Sequence, residues 1–97
     1  AFSIVAARWS CGETDLPLFG ATLDLPAAVD VRIEVRDGDD VTGWGMLGNG
    51  GDAGTVGLDF GMTGSPSTTS VMVVIDLATS REVARMPLGH LPLPTCG

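Results

Sequence analysis

The clearest pattern in the chain lies between residues 29 and 36, where Val29, Val31, Ile33 and Val35 alternate with Asp30, Arg32, Glu34 and Arg36. A period of two sends successive side chains to opposite faces, so the segment predicts a strand with one buried and one wet face. The wet Asp-Arg-Glu-Arg face reads as solvated, with cross-strand ion pairs that each contribute little. Residues Phe2 to Trp9 predict an earlier strand, with Phe2, Ile4 and Ala6 on one face and Val5, Ala7 and Trp9 on the other. Cys11, Gly12 and the stretch Glu13 to Pro17 break it, and Gly20 to Leu25 forms a short second strand ended by Pro26.

Asp37-Gly38-Asp39-Asp40 is a turn signal. Val41 to Leu47 follows as a strand in which Gly43 and Gly45 flank Trp44. Glycine weakens a strand interior and often marks a close approach, and these two leave room for an aromatic ring to lie across the neighbouring strand. Gly48 to Gly54 reads as a flexible loop, Thr55 to Phe60 as a strand with Val56, Leu58 and Phe60 on one side, and Gly61 to Thr69 as a polar loop. Ser70 to Leu77 holds the unbroken run Val71 to Ile75, which predicts a strand covered on both faces and central to the sheet system. Asp76 to Val83 reads as a tight hairpin with Glu82 to Met86 as the return strand; a single helical turn over Ser80 to Met86, capped by Ser80, competes with it. Pro87, Pro92 and Pro94 exclude regular structure beyond, so the tail is expected to run extended to Cys96.

About seven short strands, separated by Gly, Pro and Asp turns, predict an all-β fold. The candidates are a β-sandwich, immunoglobulin-like or jelly-roll-like, and a small barrel of antiparallel strands. The 97 residues make one domain, 1–97, with an extended proline-rich tail over 87–97.

The two cysteines change this picture most. The spacing of Cys11 and Cys96 suits neither a redox Cys-x-x-Cys motif nor a zinc knuckle. A disulfide between them closes a loop of about 85 residues, worth roughly 4–5 kcal/mol in the chain-entropy picture, and predicts an oxidising compartment, secreted or periplasmic. Two unpaired thiols in a cytosolic chain are the alternative. The first residue, Ala1, fits a mature chain after leader removal or an excised piece.

Charge narrows the partners. The chain carries a formal −7, with five Arg and no Lys. No basic stripe exists to neutralise phosphates, so no nucleic-acid partner is expected. Anionic membrane surfaces are disfavoured, and no apolar run is long enough to span a bilayer. A hydrophobic fraction of 44% and a mean hydropathy of +0.32 are high for so small a domain. Apolar surface left exposed predicts a protein partner, another chain or a second copy in a homo-oligomer. Trp44, Met46 and Leu47 are the candidate interaction surface.

Chemistry is sparse. His90 is the only histidine, and no Gly-x-Ser-x-Gly elbow accompanies it. One His with paired cysteines supplies no transition-metal ligand set, so no metal or cofactor is expected. Asp37, Asp39 and Asp40 form a weak candidate cation site, since clustered oxygens suit Ca²⁺. Asn49 and Asp52 match a calcium-binding nonapeptide only once, where stacking needs repeats. Gly48 to Gly54 lacks the Lys-Ser/Thr of a phosphate loop. These residues therefore read as a non-enzymatic, extracytoplasmic protein-interaction or self-assembling domain. The alternatives are a disulfide-tied protease inhibitor presenting Gly61 to Thr69 or Pro87 to Pro94, and a small-ligand, calcium or carbohydrate-binding module.

Overall fold

In the computed structural model, residues 2–96 are described; Ala1, on which the reading of a processed terminus rests, and Gly97, the last residue of the predicted tail, lie outside the described residues. Seven strands follow in order: β1 (Ser3–Cys11), β2 (Pro17–Leu25), β3 (Val29–Asp37), β4 (Asp40–Asn49), β5 (Gly54–Gly61), β6 (Val71–Asp76) and β7 (Arg81–Pro87). They form a three-stranded sheet, β1-β2-β5, and a four-stranded sheet, β4-β3-β6-β7. Every pairing is antiparallel. The fold is a β-sandwich. The sheets meet at β4 and β5 through one isolated bridge, Gly43 with Met62, rather than closing into a barrel.

Alternation builds the core. Phe19, Ala21, Leu23 and Leu25 of β2 face Val31, Ile33 and Val35 of β3 and Met72 and Val74 of β6, all buried. Each large side chain removed from water contributes about 1.5–3 kcal/mol. Trp9 packs edge-on against Phe19 with ring centroids 5.1 Å apart. The glycine slots hold an aromatic ring, but it is Phe60 of β5 in the facing sheet and not a ring across a neighbouring strand. A Cβ on Gly45 would lie 2.8 Å from both Leu58 Cδ2 and Phe60 Cδ2, and one on Gly43 would lie 3.2 Å from Phe60 Cε1.

Three readings need correction. In β1 the register slips between Ile4 and Ala6, making Val5 a bulge residue. One extra residue reverses the phase of a strand. Phe2, Ile4, Ala7 and Trp9 therefore share the core side, while Val5 stays 55% exposed. The two faces expected for this strand are merged into one. Second, β1 runs on through Cys11 and β2 begins at Pro17, so the break is confined to Gly12–Leu16. Asp15 takes the left-handed conformation at φ 58°, which lets the turn be short. Pro17 is tolerated as the first residue of its strand. Third, β6 is central, but among the described residues no second layer of strands or helices covers its outer face. Val73 points outward and is fully buried, with Glu34 and Arg85 as its neighbours across the ladders.

The β6–β7 connection is a hairpin, not a helical turn: Ser80 sits at φ 58° and its N–H donates to the Asp76 carbonyl at 2.7 Å. Beyond Pro87, the last residue of β7, Leu88 is fully buried and its N–H donates to Ser70 O at 2.9 Å. The chain then runs to Cys96, which is bonded to Cys11 at the end of β1, with Cα atoms 5.6 Å apart.

Candidate functional site: the outer face of the four-stranded sheet

Strand β3 turns Asp30, Arg32, Glu34 and Arg36 outward. Register sets Trp44 of β4 and Val73 of β6 beside Glu34, and Met46 and Ile75 beside Arg32. Glu34 is only 7% exposed. Its carboxylate accepts from Arg32 Nε at Oε2, 2.7 Å, and from Arg36 Nε at Oε1, 2.7 Å. Burial acts to raise its pKa, but the hydrogen bonds and charges of Arg36 and Arg32 outweigh it and hold the carboxyl below its usual range. The Arg32 guanidinium also lies 4.3 Å from the centre of the Trp44 ring. Such a cation–π contact at a partly exposed site contributes about 0.5–1 kcal/mol.

Strand β7 completes the face. Its register slips between Glu82 and Ala84, across from Ile75 and Val74. The bulge brings Glu82 and Arg85, three residues apart, to one side. Arg85 donates through Nη2 and Nε to the two Glu82 oxygens at 2.7 and 3.0 Å. The hydrogen bond from Arg85 lowers the Glu82 carboxyl, and the same bond raises Arg85.

The wet face of β3 is thus not a set of independent cross-strand pairs. Its ion pairs run along the strand, through one buried carboxylate, and a tryptophan lies over one arm. Trp44 and Met46 stand together on this face, 47% and 55% exposed. Leu47, one residue on, points to the other side and packs half-buried against the core. Arg32, Glu34 and Arg36 read from the sequence only as a solvated face with ion pairs, and Arg85 was not singled out. The signal was present, because Arg-x-Glu-x-Arg in a strand puts all three charges on one face.

The remaining candidates lie elsewhere. Asp37, Asp39 and Asp40 belong to the β3–β4 turn, where Gly38 adopts φ 64°. Asp37 Oδ1 accepts from Thr69 Oγ1 at 2.5 Å. Among the described residues no group of three or more His, Cys, Asp or Glu side chains is placed to hold a metal ion. Asn49 clamps the glycine loop instead of offering a ligand: its Nδ2 donates to Pro26 O at 3.2 Å and its Oδ1 accepts from Gly51 N at 3.4 Å. His90 is exposed in the turn after Leu88. The described residues enclose no pocket, and no helix among them is long and apolar enough to cross a membrane. No protein-family profile, curated protein or solved structure matches the chain.

Proposed function

We propose that this β-sandwich is a non-enzymatic, extracytoplasmic protein-interaction domain that docks another protein on the outer face of β4-β3-β6-β7. The observation that carries this reading is the exposed pair Trp44 and Met46 beside an arginine held in place from two sides, by Glu34 and by the indole ring. Trp, Met and Arg are the residue types enriched where interfaces are fully desolvated. An arginine already ordered loses little conformational freedom on binding. The disulfide supports an oxidising compartment. Docking of a different protein is favoured over self-assembly, because each copy carries −7 and two copies repel.

The test places a photo-crosslinking residue at Met46 and, as a control, at Ala6 on the outer face of the other sheet. In extracts of the source cells, one discrete partner should be captured from position 46 and not from position 6. Excess unlabelled protein should compete, and Trp44→Ala protein should not. Equal capture from both faces, or capture of a second copy, overturns the reading.

A further inference from the structure

We infer that Asn49-Gly50 is a built-in modification site: Asn49 deamidates through a succinimide when the β4–β5 loop lifts off the β2–β3 turn, and the native fold holds the reaction shut. The site is independent of the docking face proposed above. Asn49 is the only asparagine in the chain, and glutamine is absent, so it carries the only side-chain amide. The residue after it is glycine, whose backbone nitrogen has no side chain to shield it. That nitrogen makes no backbone hydrogen bond among the described residues, and the space beside Gly50 is open.

The reaction needs only water. Gly50 N gives up its proton to solvent and attacks Asn49 Cγ. A C–N bond forms, the Cγ–Nδ2 bond breaks, and Nδ2 departs as ammonia after taking a proton from water. Water then opens the ring at either carbonyl, which leaves aspartate or isoaspartate at position 49. Nothing is oxidised or reduced.

The fold opposes each step. Pairing with Val29 holds the Asn49 backbone extended, and ring closure needs rotation out of that conformation. Nδ2 donates to Pro26 O at 3.2 Å, an acceptor with no proton to give a leaving nitrogen. Oδ1 accepts from Gly51 N at 3.4 Å, which fixes the amide, and the residue is 8% exposed, which limits water.

The same contacts show where the guard opens. Besides the Asn49 amide, the loop is tied to the turn by Ala28, whose N–H donates to Gly51 O at 3.2 Å. Ala28 sits at φ 55°, a left-handed conformation unfavourable for alanine. Residues 50 to 55 are exposed, so no packed side chain holds the loop down. Lifting the loop relieves Ala28 and frees Asn49 together, and a local opening of this kind needs less free energy than unfolding the sheets. Once the reaction has occurred the tie does not reform, because a carboxylate does not donate to Pro26 O and isoaspartate lengthens the backbone.

The purified, oxidised protein would be held at neutral pH, native or in concentrated urea, and sampled by intact mass. The unfolded chain should gain the mass of an amide-to-acid exchange, and peptide mapping should place the product at position 49. The native protein should gain it at least about tenfold more slowly. Ala28→Gly removes the strain without touching the amide. It should slow the native reaction a further two- to fivefold or about that and leave the rate in urea unchanged. Asn49→Asp, which carries the product side chain, should melt below wild type. No mass gain in urea, equal rates in the native and unfolded states, a native Ala28→Gly rate equal to wild type, or wild-type melting of Asn49→Asp each overturns the inference.

Discussion

The two sheets place their outward residues on the same alternating pattern and use them differently. On β1-β2-β5, Arg8 and Asp59 reach across the central strand and meet over Gly20, at 3.2 Å, with side chains 60% and 52% exposed. Gly20 has no side chain to obstruct them, since a Cβ there would collide with the Asp59 carboxylate. On β4-β3-β6-β7 the equivalent central position is Glu34, whose side chain is 9% exposed between two arginines. Beside it lies a fully buried Val73. The first pair sits in water, where an ion pair contributes about 0–1 kcal/mol. The second shields apolar surface and holds an arginine against Trp44. The pairs differ in geometry, one spanning the sheet at 3.2 Å and the other running along β3 at 2.7 Å, and burial decides which one shapes a surface.

The widest separation of the sheets should come from cutting what joins them at the β1 side. Cys96→Ser should lower stability by about 4–5 kcal/mol in the chain-entropy estimate. Hydrogen exchange should show the loss beyond Leu88 and along β1 first, with the β3–β6 ladder still protected; uniform loss across both sheets would remove the view that the tail clamps one side.

Next in size is an acidic substitution made once on each outer face. Val73→Asp puts a carboxylate in a fully buried apolar position beside Glu34 and should cost about 3–5 kcal/mol in urea unfolding. Ala6→Asp, at an exposed outward position, should change stability by less than about 1 kcal/mol. Similar values would mean that the outer faces do not differ in burial.

The smallest contrast is between the two carboxylates. Glu34→Gln weakens both arginine contacts and should cost about 1–3 kcal/mol at neutral pH, against less than about 1 kcal/mol for Asp59→Asn. Because folding lowers the Glu34 pKa, its contribution is present above the unfolded value of about 4.3 and is lost as pH falls through the folded value. Denaturant midpoints measured down through this acid range should therefore fall more steeply for the wild type than for Glu34→Gln. Parallel curves would show that Glu34 does not carry this pH dependence.

Much of the fold was legible because burial and alternation share one period. Val29 to Val35, Val56 to Phe60 and the Gly43/Gly45 slots were read from residue type alone. The first strand was misread where a bulge at Val5 shifted its phase, and nothing in Ile4-Val5-Ala6 announces a bulge. At the docking face, Trp44 and Met46 were visible as apolar residues beside glycines. Leu47 was joined to them by proximity in sequence, although adjacent strand residues face opposite ways. The aspartate cluster was a composition signal, and its three residues lie at the β3–β4 turn.

By itself, then, the sequence determined the number of strands, the inward and outward residues of β3 and β5, the net acidity and the pair of cysteines able to bond. Those follow from local chemistry: side-chain hydrophobicity, the pleat, and the fixed φ of proline. Only the tertiary structure decided which sheet each strand joined and that β1 carries a bulge. It also decided that one glutamate in a charged face would be buried and that Leu88, at the head of the tail, would be buried in the core. Each depends on what lies across a ladder or against a neighbouring segment, and no window of local sequence contains that neighbour.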